Sequence, residues 1–221
     1  MNKLFSTLFA AAVAFVTLTA QAQDMKGDVK AGGAKVAMCI GCHGIAGYQA
    51  SFPEVYKVPM ISGQNAAYLS SALHAYKKGD RKHPSMRGIA ETLTDQDIAD
   101  VSAYYGANGV VAGAELPAKP SKEPSAQVQA LLAKANCASC HGANFAKPID
   151  PAYPKIAGQH ADYLFVALKA YKISNNPKVG RDNAIMASMA KQYTSAELKL
   201  MANYLSSIDG DLKTVSQSRF R

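Results

Sequence analysis

The sequence predicts an all-α protein built as two tandem helical units. Three observations carry this. Pro59–Leu69 recurs as Pro154–Leu164 and Ala72–Lys77 as Ala167–Lys172 at an offset of 95 residues, and Thr94–Tyr104 recurs as Thr194–Tyr204 at an offset of 100. Apolar residues in both copies fall at the i, i+3, i+4, i+7 spacing of one helix face: Leu69, Ala72, Leu73 and Tyr76, then Leu164, Ala167, Leu168 and Tyr171. The strand signal is weak throughout.

The first 22 residues are read as a secretory signal peptide. Lys3 supplies the basic start, Leu4–Leu18 is almost wholly apolar, and Ala20-Gln21-Ala22 is a small-residue cleavage site. The run is short for an uncleaved anchor, which needs roughly 20 apolar residues. Cleavage after Ala22 predicts an exported chain with 23 basic and 16 acidic side chains, a net +7. Residues 24–115 balance at nine of each sign, whereas residues 127–221 carry twelve basic and six acidic, a net +6. Such a field bears on docking rather than fold. The cations are scattered, so nucleic-acid binding is not expected.

Within the first unit, 23–112, a short helix is expected over Asp28–Met38 despite Gly32-Gly33, another over Asn65–Lys78, and a last one opening at Thr94-Asp95-Gln96-Asp97, a capping box. Residues 113–125 hold Pro117, Pro120 and Pro124 and read as an extended linker. In the second unit, 126–221, Ser125 caps a helix over Ala126–Asn136, and Thr194-Ser195-Ala196-Glu197 repeats the capping box. The inward faces of the last helices are Ile98, Val101 and Tyr105, then Leu198, Met201 and Leu205.

Four Cys occur as two close pairs. A C-x-x-C pair can be a redox disulfide, half of a zinc site or a haem attachment, and the following residue decides. It is His both times: Cys39-Ile40-Gly41-Cys42-His43 and Cys137-Ala138-Ser139-Cys140-His141. C-x-x-C-H is the c-type haem signature. Each thiol adds across one haem vinyl group, and the adjacent His becomes the proximal iron ligand. The 94 residues between the pairs far exceed the about 15–20 of a four-Cys zinc site. The prediction is two covalently bound haem c groups, one per unit, whose apolar faces complete two small cores. The apoprotein is therefore expected to fold poorly.

A sixth ligand should recur at matching positions. Met86 aligns with Met186, Met189 aligns with Ile89, and Met60 with Lys155. Met86 and Met186 lie 43 and 45 residues beyond their proximal His and are the predicted thioether ligands, with Met189 the rival in the second unit. Met25, Met38, Met60, Met189 and Met201 read as core filler. His74, His83 and His160 have no counterparts in the other unit and read as surface or satisfied residues. An iron with both axial positions filled favours electron transfer over catalysis, so no catalytic residue is expected.

The whole exported chain resembles the dihaem cytochrome c4 family, two tandem cytochrome c-like domains each wrapped around one covalent haem. The resemblance rests on both C-x-x-C-H motifs, Ile61-Ser-Gly-Gln64, Ile156-Ala-Gly-Gln159, Met86-Arg-Gly, Met186 and Leu93-Thr-Asp-Gln-Asp97. It implies a periplasmic electron carrier serving a membrane cytochrome complex or terminal oxidase, with peripheral membrane contact through such a partner. It also implies His/Met ligation at both irons, haems close together at the domain interface, and a backbone brace around Pro59 and Pro154 for the proximal His. The chain departs from the family at Tyr56-Lys-Val-Pro-Met60 and in the tail beyond Ile208, away from the ligands. A cytochrome subunit of a periplasmic dehydrogenase is the alternative, and a haem peroxidase the least favoured reading.

Overall fold

The computed structural model describes residues 25–216. The expected signal peptide and its cleavage site after Ala22 lie outside the described residues. The first unit runs α1 (Val29–Lys35), α2 (Ala37–His43), β1 (Gln49–Ala50), β2 (Tyr56–Lys57), α3 (Ala66–Lys78), β3 (Arg81–Lys82), α4 (Pro84–Glu91) and α5 (Asp95–Ala107). The second runs α6 (Ala126–Lys134), α7 (Ala138–His141), α8 (Ala161–Ala170), β4 (Gly180–Arg181), α9 (Ala184–Lys191) and α10 (Ser195–Ser207). Two domains of mainly helical structure result. No helix among the described residues is long and apolar enough to cross a membrane.

The expected caps form. Thr94 and Thr194 each accept from the N3 backbone N–H, while Asp97 and Glu197 reach back to the cap. Ser125 Oγ accepts from Val128 N–H. The inward residues of α5 and α10 are all buried. Val36, Ile40, Leu69, Val101 and Tyr105 form one apolar cluster, and α6, α8 and α10 enclose a larger one around Leu132, Leu164, Leu198 and Leu205. Full burial of a Leu contributes roughly 1.5–3 kcal/mol. The helix expected over Asp28–Met38 instead breaks at Val36, and α2 continues through the first C-x-x-C-H motif.

The pair Gly32-Gly33 has a packing reason. A Cβ on Gly32 would lie 2.1 Å from the Asp100 carbonyl oxygen, so α1 touches the α5 backbone directly. Asp100 then pins α1: its carboxylate accepts from Asp28 N–H at 2.9 Å and pairs with Lys35 Nζ at 2.7 Å. Gly32→Ala gains about 1 kcal/mol of helix propensity but overpacks this contact. A net loss of about 1–2 kcal/mol is expected in denaturant melts; an unchanged midpoint would show that α1 can slide aside.

The segment joining the units lies along the second one. Pro117 O accepts from Asn144 Nδ2, Lys122 O from Tyr204 OH, and Ser121 Oγ from Asp209 N–H. The tail beyond Ile208 returns to the first unit, where Lys213 N–H donates to Ser62 O at 3.0 Å. β3 pairs antiparallel with β4, setting Arg81 opposite Arg181.

The units meet with the exchange symmetry of an isologous contact, in which i touches j and j touches i. Gln64 bonds the backbone of Lys155, and Gln159 bonds the backbone of Met60, the position that matches Lys155 in the repeat. The Lys169–Glu54 and Lys82–Asp182 ion pairs flank this contact.

Candidate haem sites

Each C-x-x-C-H motif lies on a turn of helix. In α2 the i, i+3, i+4 spacing puts Cys39, Cys42 and His43 on one face, while Ile40 turns into the core, 6% exposed. In the second unit the helix is shorter. Asn136 takes a left-handed backbone, φ 48°, just before Cys137 begins the turn to His141.

Both histidines are oriented alike. His43 Nδ1 lies 2.9 Å from Pro59 O, and His141 Nδ1 lies 2.9 Å from Pro154 O. A carbonyl only accepts, so Nδ1 carries the proton and Nε2 keeps its lone pair, the arrangement of a metal-binding imidazole. Burial lowers the pKa of both rings, against the opposing pull of the proline carbonyl. Both are therefore neutral and able to coordinate at pH 7.

None of the four motif cysteines is paired in a disulfide. Before haem attachment, burial pushes the Cys39 and Cys137 thiols up to about 11. Among the described residues no three His, Cys, Asp or Glu side chains converge, so the two pairs do not assemble into one zinc site.

Met86 and Met186 occupy the same place in their units. Each is third in a short helix, and its backbone N–H is capped by the residue three before: His83 Nδ1 for Met86, Asn183 Oδ1 for Met186. Met189 lies one turn further along α9, in the place of Ile89. His83 is thus a helix cap, and among the described residues its buried Nε2 has no hydrogen-bond partner. His74 lies 3.9 Å from Asp95 at the surface, and His160 precedes α8.

A second cluster sits between the units. Arg81 donates to Tyr68 OH at 3.0 Å and Tyr163 OH at 2.8 Å, and Arg181 donates to the same Tyr163 oxygen at 3.2 Å. Arg81 stacks on Tyr76, and Arg181 on Tyr163 and Tyr171. Among the described residues neither guanidinium has a carboxylate partner, and Arg81 Nε is buried without a bond. Burial would raise the Tyr163 phenol, but the two arginines pull it below its ordinary value. Two half-buried cations without carboxylate partners among the described residues favour an anion beside them, and a haem brings two carboxylates. With the freed Nε2 atoms, this charge demand makes the residues present a good fit for haem. The arginine cluster was not singled out from the sequence, although Arg81/Arg181, Tyr68/Tyr163 and Tyr76/Tyr171 all recur at the repeat offsets.

The cytochrome c family model matches residues 30–105 and again 125–209. Cytochrome c4 of Azotobacter vinelandii is 30% identical over 190 residues, covering 81% of this chain and 88% of the relative. The thiosulfate dehydrogenase electron acceptor of Stutzerimonas stutzeri is 26% identical over 94% of this chain and 97% of its own length. A solved Acidithiobacillus ferrooxidans cytochrome c4 superimposes with a TM-score of 0.56 at 27% identity, covering 78% of this chain and 99% of that one.

Proposed function

Because this chain belongs to the cytochrome c4 family, with two cytochrome c domains that each hold one covalently bound haem c, we propose that it is a periplasmic carrier passing single electrons toward a terminal oxidase. The domains span 23–112 and 126–221, joined by the linker 113–125. Cys39 and Cys42 anchor one haem and Cys137 and Cys140 the other. His43 and His141 are the proximal ligands, Met86 and Met186 the distal ones. Each haem supplies a one-electron iron couple.

The observation that carries this reading is the matched imidazole geometry: two Nδ1–H groups, each 2.9 Å from a proline carbonyl, each leaving Nε2 for iron. The protein's own part is to hold these rings, cap the turns that carry Met86 and Met186, and supply Arg81 and Arg181 as cations that would suit haem carboxylates. With Met86 and Met186 as second ligands, neither iron would keep an open position for substrate, which supports a carrier over an enzyme. An absorption and redox titration of the exported protein tests this. Two haems with thioether-ligated iron and two one-electron waves are expected; an open or bis-imidazole iron in either domain would reject the ligand set.

The basic second domain supports docking to an acidic partner. Raising ionic strength from about 0.01 to about 0.15 M, where the screening length falls to about 8 Å, should slow electron exchange with such a partner severalfold. A salt-independent rate would remove steering from the account. The similarity to a thiosulfate dehydrogenase electron acceptor over nearly the whole chain favours a second reading, a carrier dedicated to one periplasmic dehydrogenase. Stable co-purification with a large catalytic subunit would select it over a free shuttle.

A further inference from the structure

We infer that Gln64 and Gln159 are positioning residues that act across the domain interface, each setting the hydrogen-bond strength of the proximal histidine in the other domain. This rests on His43 and His141 being iron ligands.

The Pro59 carbonyl and the Met60 N–H belong to one peptide group. Its oxygen accepts from His43 Nδ1–H at 2.9 Å, and its N–H donates to Gln159 Oε1 at 3.1 Å. The mirror image runs from His141 Nδ1–H to Pro154 O at 2.9 Å, and from Lys155 N–H to Gln64 Oε1 at 2.9 Å. Each is an unbroken chain: imidazole N–H, carbonyl, amide N–H, glutamine oxygen. Hydrogen bonds in series polarise one another. An acceptor on the amide N–H makes the carbonyl a better acceptor for the imidazole proton, and so makes the imidazole a stronger donor to iron.

The glutamines are built for this. They are 4% and 3% exposed, so water does not compete. Each Oε1 also accepts from the next backbone N–H of its own domain, Asn65 at 2.9 Å and His160 at 3.0 Å. Each Nε2 donates to the same foreign residue, Lys155 O at 2.9 Å or Met60 O at 2.8 Å. Two N–H groups facing one oxygen leave the amide orientation unambiguous. Glue between domains would not require the bonded residue to be the one whose amide holds the histidine, twice over.

The consequence is a crossed effect. A stronger imidazole donor favours ferric iron, so losing the acceptor should raise the potential of the haem in the other domain. In Gln159→Leu, the first-domain haem should gain threefold to tenfold in its reduction equilibrium, ~28–59 mV for one electron, and the His43 Nδ1–H proton of the reduced protein should move upfield. The second-domain haem should hold its potential. Gln64→Leu should do the reverse. Gln159→Glu keeps the shape and an acceptor oxygen, so it should leave the first haem at or below its unmodified potential; it also serves if the Leu variant does not fold. Shifts confined to the mutated domain's own haem, equal shifts in both haems, no shift, or a raised first-haem potential in Gln159→Glu would each overturn the inference. The ligand reading fails separately: in the unmodified reduced protein it would show as missing haem-shifted imidazole resonances.

Discussion

Met86→Ala is expected to lower the potential of the first-domain haem by on the order of 100 mV and to abolish its thioether-to-iron absorption, leaving the second haem unchanged. A thioether is a weak, soft donor that favours ferrous iron. Its removal opens a coordination position to water or an added ligand. α4 should persist, because its cap uses His83 Nδ1 and the Met86 backbone N–H, both kept in the variant. Met186→Ala should produce the same loss at the second haem, whereas Met189→Leu should leave both spectra intact. This contrast tests the alignment that set Met186 with Met86, and the structure supports that alignment by giving both residues the same capped third position. An unchanged spectrum and potential in Met86→Ala would reject the distal assignment in the first domain.

The local rules of helix formation were plainly legible in the sequence. Thr94 and Thr194 signal their capping boxes four residues at a time, and the faces of α5 and α10 follow from simple periodicity. The fold class followed as well, because two copies of one pattern reinforce each other. The short helices α4 and α9 were not anticipated. Each is only eight residues long, and each depends on a cap that looks different in the two copies, His83 in one and Asn183 in the other. The β3–β4 pair escaped for a different reason: two residues carry no alternation, and the pairing joins segments about 100 positions apart. The motif histidines could be named from spacing alone. Their bonds to Pro59 and Pro154 could only be implied by resemblance, since those carbonyls lie 16 and 13 residues away. Gln64 and Gln159 stood in the repeat, but their exchange across the interface is a property of how two folded units dock.

Removing the thiol pairs should expose an unequal dependence on haem. In Cys39→Ser/Cys42→Ser the first domain is expected to lose fixed tertiary structure, whereas Cys137→Ser/Cys140→Ser should leave the second domain partly ordered. The reason is the size of the two cores. Among the described residues the first-domain cluster has five buried members, with Cys39, Ile61, Tyr68, Leu73 and Tyr104 only partly covered at its edge. The second-domain cluster has fifteen, and the linker residue Leu116 packs against it. A domain of this size buries too little apolar surface to be comfortably stable by itself, and a cofactor bound only by the folded state raises its stability. The domain with less core of its own should therefore lose more. The arginine cluster sharpens the difference. Among the described residues Arg81 Nε is buried without a bond, and a buried donor left unsatisfied costs about 1–3 kcal/mol. Limited proteolysis followed by mass mapping reads the outcome directly. Cuts should concentrate in 25–112 for the first variant and be slower and fewer in 126–216 for the second. Equal resistance of the two variants would mean that packing between polypeptide segments, rather than the bound porphyrin, holds the first domain together.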